Sequence, residues 1–416
     1  MLHLEGNNAP VDDERDVVPT RVVGDVPDAL RGGTFVRNGP NPRTGWSPHL
    51  YAGDGMLHAM TFGDDGRTIT YRNRWVRTPL WYESSFIRDG RDHTRTTANT
   101  HVVEHDGRLL ALEEGGFPYE VTRACETVGP FTFGGRLDTP MTAHPKTCPT
   151  SGELHLFGTQ MRPPFLTYWR ASATGEIDAC RVIDIPRATL MHDFAVTEHH
   201  VVLFLSPWAF DPSTMPPFRW LADTPARIGV LRRADIHGDV RWLDTSPAHL
   251  SHTANAWDDA AHDERIVLTG TRLADATSLP YAHRWDLDLA RGTVTERALD
   301  EEASEYPRVR DAETGRPSRH AWTTSFVYDA EPDHHEIHRY DLETGDRITH
   351  ALPAGHTCGE PVPAADSGLL LTFAHDRSAG TSYLLVLDAE RVEPVCEVHL
   401  PVRVPGGFHG SWLSSA

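Results

Sequence analysis

Four histidines stand where the neighbouring residues suggest a fixed side chain rather than a packed one. His144 lies in Thr-Ala-His-Pro-Lys, His192 in Leu-Met-His-Asp-Phe, His252 in Leu-Ser-His-Thr-Ala-Asn-Ala, and His409 in Gly-Gly-Phe-His-Gly-Ser-Trp near the end of the chain. Pro145, Asp193, Gly407 and Gly410 mark positions where the backbone turns or is approached closely. The chain holds 25 histidines in 416 residues, so most of them are ordinary surface or core groups and context has to do the sorting. A lone histidine beside apolar residues is usually a hydrogen-bonded core group. Recurrence of four such contexts points instead to one metal site.

Four neutral imidazoles would leave the full charge of a divalent ion uncompensated. That field favours ferrous over ferric iron and leaves coordination positions for oxygen. Zinc would also accept four histidines, but in a closed tetrahedral site with a structural role. Ligand histidines commonly pass their second ring nitrogen to a carboxylate that fixes the tautomer. Glu114, Glu305 and Glu360 lie beside glycines or in apolar segments, although residue context alone reads each as a surface carboxylate. His58, in Gly-Asp-Gly-Met-Leu-His, also suits an inward-facing strand position. His199, His200, His262, His334 and His335 sit in acidic, turn-like stretches and are expected to be solvated.

Ligands spaced by 48, 60 and 157 residues require a frame that returns the chain to one axis at intervals of about one supersecondary unit. From about residue 55 onward the sequence reads as short strands joined by tight turns. Asp65-Gly66, Asp106-Gly107, Ser151-Gly152, Thr174-Gly175, His237-Gly238, Arg291-Gly292 and Thr344-Gly345 each separate apolar, alternating segments. Several intervals approach the length of a four-stranded propeller blade. A β-sandwich or a pair of barrels would give similar local signals. Long amphipathic helices are not evident, and no linker divides residues 1–416, so one all-β domain is expected. One insertion, 207–221, is rich in Trp, Phe and Pro. It either packs over the core or lines the mouth of an apolar pocket.

Composition excludes several functions. With 39 basic and 59 acidic residues the net charge is -20, which repels phosphate backbones and anionic headgroups. Nucleic acid is therefore not an expected partner, while weak peripheral contact with a membrane through an apolar patch is still allowed. Five cysteines form no Cys-x-x-Cys pair, which fits reduced thiols in a cytoplasm. The N-terminus has no basic region followed by an apolar run, and no later segment is apolar enough for a membrane helix.

These stretches resemble the carotenoid cleavage oxygenase family almost from end to end. The motifs in order are Glu5-Gly-Asn-Asn-Ala-Pro-Val11, Phe35-Val-Arg-Asn-Gly-Pro-Asn-Pro42, Asp54-Gly-Met-Leu-His58, Thr97-Ala-Asn-Thr100, Ala143-His-Pro-Lys146, Met191-His-Asp-Phe194, His252 with Asn255-Ala256, and Gly407-Phe-His-Gly-Ser-Trp412. The resemblance implies a seven-bladed β-propeller with a short N-terminal lead-in and a loop cap over an axial metal site. It also implies Fe(II) held by His144, His192, His252 and His409, with Glu114, Glu305 and Glu360 supporting the ligands. The implied reaction is cleavage of a conjugated carbon–carbon double bond by O2 to give two carbonyl products, the partners being a lipophilic alkene and O2. No protein acid or base is required.

The stilbene-cleaving branch carries a lysine immediately before the first of those glutamates, and here that position is Glu113. This favours an apocarotenoid over a stilbenoid. An isomerase, or a propeller with no catalytic role, are the remaining readings. The third histidine motif departs from the common pattern, with Ser251 where the family more often has an aromatic residue or a second histidine. The chain is also shorter than typical members, which implies trimmed loops.

Overall fold

The computed structural model describes residues 2–84, 91–214, 217–262, 264–328 and 332–415. Among them the one α-helix is Pro79–Glu83, and nearly all other regular structure is antiparallel strand, as the absence of a helical period implies. The chain divides into two compact units, one of residues 1–132, 327–339 and 348–416, the other of residues 133–326 and 340–347.

The first unit contains three blade-sized sheets. One runs in the order Asp16–Val17, Ile69–Trp75, Gly55–Phe62, Thr34–Pro40, Gly410–Leu413. Its last pairing sets Arg37 opposite Gly410 and Thr34 opposite Leu413, so the C-terminal strand is tied to an N-terminal one. A second sheet repeats this device, with Arg21–Gly24 as the edge strand beside Glu393–His399. The third is the meander His101–His105, Arg108–Leu112, Tyr119–Val121, Thr127–Pro130.

The second unit holds the meander Lys146–Thr147, Leu154–Thr159, Leu166–Ala171, Ile177–Ile183, and a sheet of Ala195–Val196, His200–Leu205, Ala226–Arg232 and Arg241–Thr245. A larger sheet starts with His249–Asp258, Arg265–Leu273 and Tyr281–Asp288. Its long strand Thr293–Arg308 serves two neighbours. Residues 293–303 pair with Tyr281–Asp288, and residues 304–308 with His320–Ser325.

Side-chain periodicity explains which strands lie inside. Ile69–Trp75 alternates, burying Ile69, Tyr71, Asn73 and Trp75 and turning the residues between outward, as a strand with one face on a core must. Thr34–Pro40 and His200–Leu205 are buried at every position, the pattern of strands covered on both faces. Apolar clusters fill the spaces between sheets. One gathers Phe35, Met60, Tyr71, Phe373 and Val386 in the first unit; another gathers Phe204, Ile228, Leu268 and Trp285 in the second. The turns fall where the sequence places them. Asp106 and Gly107, with φ of 49° and 70°, join His105 to its cross-strand partner Arg108, the left-handed pair that a two-residue hairpin demands.

Several histidines prove to be core groups. Nδ1 of His58 lies 2.8 Å from the Tyr71 hydroxyl, and Nδ1 of His155 lies 2.7 Å from that of Tyr168. His58 is thus part of the packing and not of a metal site. His200, expected at the surface, is buried against Asp258 at 2.7 Å, while His199 and His262 are exposed. His200 opens a strand that is buried at every position, and that carries it inward.

Burial drives the His155 imidazole down to about 3, with Arg233 adding to the effect; burial with Arg37 and Arg403 nearby holds His58 well below the usual range. The unfolded chain takes up these protons near pH 6.5. Their contribution to stability is therefore complete above about pH 6.5 and is lost as pH falls toward about 3. Depressed carboxylates such as Glu296, at about 2, lose theirs only below about pH 4.5. Thermal unfolding midpoints should accordingly be level from about pH 8 to 7 and fall between about pH 6.5 and 5. A midpoint unchanged down to pH 5 would overturn this reading.

Candidate metal centre

His144, His192 and His252 come together in the second unit, with one ring nitrogen from each lying within 4.8 Å of the others. The Nε2 atoms of His144 and His192 are 3.1 Å apart, as are those of His192 and His252. Two nitrogens bound at right angles to one ion at about 2.1 Å would be about 3 Å apart, so the spacing suits a shared cation. No other group of three metal-ligating side chains meets this test among the described residues.

Each ring reaches the cluster by a different local device. His144 follows a turn in which its own N–H donates to Thr142 Oγ1 at 3.1 Å, while Thr142 N donates to Phe157 O at 2.7 Å. His192 lies in an irregular segment held by the 207–221 insertion. That insertion is a hairpin of Trp208–Phe210 and Phe218–Trp220, with Trp208 edge-on to Trp220 at 5.3 Å. Leu190 N donates to Trp208 O at 3.0 Å, Phe210 N to Ala188 O at 3.1 Å, and Ser206 Oγ to Leu190 O at 2.8 Å. The aromatic loop therefore braces the approach to His192.

His252 sits on the strand His249–Asp258 just past an irregularity. Leu250 pairs with Arg272 and His252 with Thr271, leaving Ser251 as the extra residue. A bulge of this kind re-aims a side chain. Opposite it, Gly270 has no room for a Cβ, which would lie 2.3 Å from His252 O. Any larger residue there would push the ligand strand away.

Glu305 secures the His252 ring. Its Oε2 lies 2.7 Å from His252 Nδ1 and accepts from Tyr306 N at 2.6 Å and Thr271 Oγ1 at 3.3 Å, while Ser251 Oγ donates to Oε1. Burial pushes this carboxyl up, but His252 and the surrounding donors outweigh it and bring it to about 2. The carboxylate thus receives the Nδ1 proton and directs the Nε2 lone pair into the cluster. Ser251, part of the altered motif noted in the sequence, has a use as a fourth partner of this carboxylate.

In the first unit, His409 and Glu360 form the same pairing. Nδ1 of His409 is 2.9 Å from Glu360 Oε1, and Gly410 N donates to Oε2 at 2.8 Å. His409 N donates to Thr100 O at 3.1 Å, and its carbonyl accepts from Asn38 N at 3.0 Å. Glu360 and His409 are both buried. Glu114 is half-buried, whereas its neighbour Glu113 is buried, accepting from Thr96 Oγ1 at 2.9 Å and Gly115 N at 3.0 Å.

Residue-by-residue reading missed the groups one or two places beyond the ligands. Asp193 is 2 % exposed and receives Lys146 Nζ at 2.8 Å together with Thr253 N and Oγ1, both at 2.8 Å. The signal was present in the Met-His-Asp-Phe and His-Pro-Lys motifs, but it was read only as a marker of turns.

Comparison with known proteins finds relatives along nearly the whole chain. The profile of the family described as retinal pigment epithelial membrane protein matches residues 8–414. A carotenoid cleavage oxygenase of Mycobacterium tuberculosis is 32% identical, with 99% of this chain and 97% of that protein aligned. A carotenoid 9,10(9',10')-cleavage dioxygenase 1 of Pisum sativum is 31% identical over 99% of this chain and 90% of its own length. Among solved structures, a lignostilbene dioxygenase of Pseudomonas brassicacearum superposes with a TM-score of 0.88 at 26% identity, covering 100% of this chain and 98% of that one. The chain belongs to the retinal pigment epithelial membrane protein family, to which these carotenoid cleavage oxygenases are its relatives.

Proposed function

We propose that the protein is a non-haem Fe(II) dioxygenase that cleaves a conjugated carbon–carbon double bond of an apocarotenoid with O2. The observation that carries this is the cluster of three imidazoles, one of them oriented by Glu305, in a chain aligned along 99% of its length with carotenoid-cleaving relatives. His144, His192 and His252 would hold the metal, and His409 is proposed as the fourth ligand. Its Nδ1 is committed to Glu360 in the way that His252 is committed to Glu305, so ligation would go through Nε2. Glu114 completes the proposed set of supporting carboxylates. We read residues 1–416 as one seven-bladed propeller domain with its loops capping the metal. Five free cysteines support a reducing, cytoplasmic setting, and among the described residues no helix is long and apolar enough to cross a membrane.

The reaction balances without a cosubstrate. One C=C and one O=O bond break and two C=O bonds form, with no proton gained or lost. Ferrous iron, held by His144, His192, His252 and the proposed His409, would supply the redox chemistry that activates O2. The protein's own part is to hold that ion on neutral ligands, fix their tautomers through Glu305 and Glu360, and position an apolar substrate away from water.

A second reading, cleavage of a stilbenoid, is favoured by the likeness to the lignostilbene dioxygenase structure. Glu113 argues against it. Both of its oxygens are occupied, one by Thr96 and one by the backbone of Gly115, and an acidic group offers no counter-charge to a phenolate.

Incubating iron-loaded protein with an apocarotenal, and separately with a hydroxystilbene, under O2 tests the choice by product mass. Aldehydes from the polyene alone are expected; products from the stilbene alone would transfer the assignment to the second reading. His252→Ala should lose iron and turnover while far-UV circular dichroism is retained, and turnover in that variant would show that the ligand is misassigned. Glu305→Gln should weaken iron binding by about 10- to 100-fold, as loss of a ligand-orienting partner commonly does. Equal iron affinity in chelator competition would remove Glu305 from that role.

A further inference from the structure

The geometry points to Asp193 as a positioning residue that locks the three clustered ligands in register, acting with Lys146 and Thr253; this rests on the metal reading above. Lys146 lies two residues after His144, Asp193 immediately after His192, and Thr253 immediately after His252. The three meet at one carboxylate. Asp193 Oδ1 takes Lys146 Nζ at 2.8 Å and Phe194 N at 2.7 Å. Its Oδ2 takes Thr253 N and Thr253 Oγ1, both at 2.8 Å, and Thr253 Oγ1 also reaches Phe194 O at 3.1 Å. A carboxylate has about four acceptor positions, and these partners fill them.

No pair of ligand segments can slide without breaking a bond to this group. A shift of the His192 segment against the His252 strand costs two bonds from Thr253, and a shift against the His144 segment costs the ion pair. The side chains of Asp193 and Lys146 are 2 % and 18 % exposed, so water does not readily replace what is lost. The arrangement is also electrically balanced, because the ammonium offsets the carboxylate. It can fix the ligand backbone without adding net charge beside the ion, whereas Glu305 acts on a ring directly.

Asp193→Asn, Lys146→Met and the double variant test this in the full-length protein. Affinity for Fe(II) and Co(II) is measured by chelator competition, the Co(II) visible spectrum reports coordination, and unfolding of the metal-free protein reports stability. Asp193→Asn should lose about 10- to 100-fold in metal affinity, the range for partners just outside a metal's ligands, with altered Co(II) bands. The double variant removes the stranded ammonium and should regain stability but not affinity. Affinity that returns together with stability would reduce the cluster to a structural ion pair and overturn the proposal, as would unchanged affinity in Asp193→Asn. Should that variant not fold, Thr253→Val deletes one hydroxyl and keeps the volume; a smaller loss in the same direction is expected, and no loss overturns the proposal. A parent protein that binds neither metal would instead overturn the iron reading itself.

Discussion

Crowding of imidazole lone pairs is the constraint on which the second unit depends. Three ring nitrogens lie within 4.8 Å of one another, and Glu305 keeps the His252 proton on the far side of its ring. A proton on one Nε2 atom would relieve one close contact at a time. A divalent cation relieves all of them at once. Until it binds, the rings are held together by surrounding structure rather than by mutual attraction, which is the usual condition of a preorganised metal site. The bulge at Ser251, the space left by Gly270, the hairpin behind Leu190 and the carboxylate of Asp193 all serve that end.

Magnitudes show which supports matter most. An ordinary buried hydrogen bond contributes about 1 kcal/mol net, so the backbone bonds bracing His192 are individually modest. Removing one partner of a buried ion pair costs about 3–5 kcal/mol, because the other charge is left uncompensated. Lys146 and Asp193 are thus the strongest single commitment near the cluster. The ties of Thr34–Pro40 to Gly410–Leu413 are many weak bonds in series, and they serve a different purpose. They carry the last motif, with His409, back onto the strand Thr34–Pro40, so that the end of the chain rests on a strand buried at every position.

Much of this was legible in the sequence for identifiable reasons. Turn pairs such as Asp106-Gly107 announced hairpins because only a few residues tolerate the left-handed backbone required there. His144 and His192 were legible because the adjoining proline and aspartate mark backbone that is not ordinary strand, and His252 through its Leu-Ser-His-Thr-Ala-Asn-Ala context. Inward and outward histidines were not separable in general. His200 reads as a turn residue from its acidic neighbours, yet it opens a strand covered on both faces and lies against Asp258. Asp193 illustrates a different limit. Its partners Lys146 and Thr253 are 47 and 60 residues away, and no local pattern announces that three motifs share one carboxylate. The hairpin of 207–221 was visible as an anomaly, but its bracing of Leu190 depends on backbone bonds that composition does not encode.

On the proposed reading, Glu113 is the side chain that separates two substrates on a shared frame. A lysine at this place would meet a phenolate with a compensating charge; a carboxylate would meet it with a like one. Glu113 is also spoken for by Thr96 and by the backbone of Gly115, so turning toward a ligand would break two bonds in a buried setting. Uncompensated loss of such bonds costs about 1–3 kcal/mol each. A polyene asks for no partner at this position and leaves both bonds intact. On the proposed reading the cost falls on a phenolic substrate alone, and an apocarotenoid would be favoured by what the protein need not rearrange.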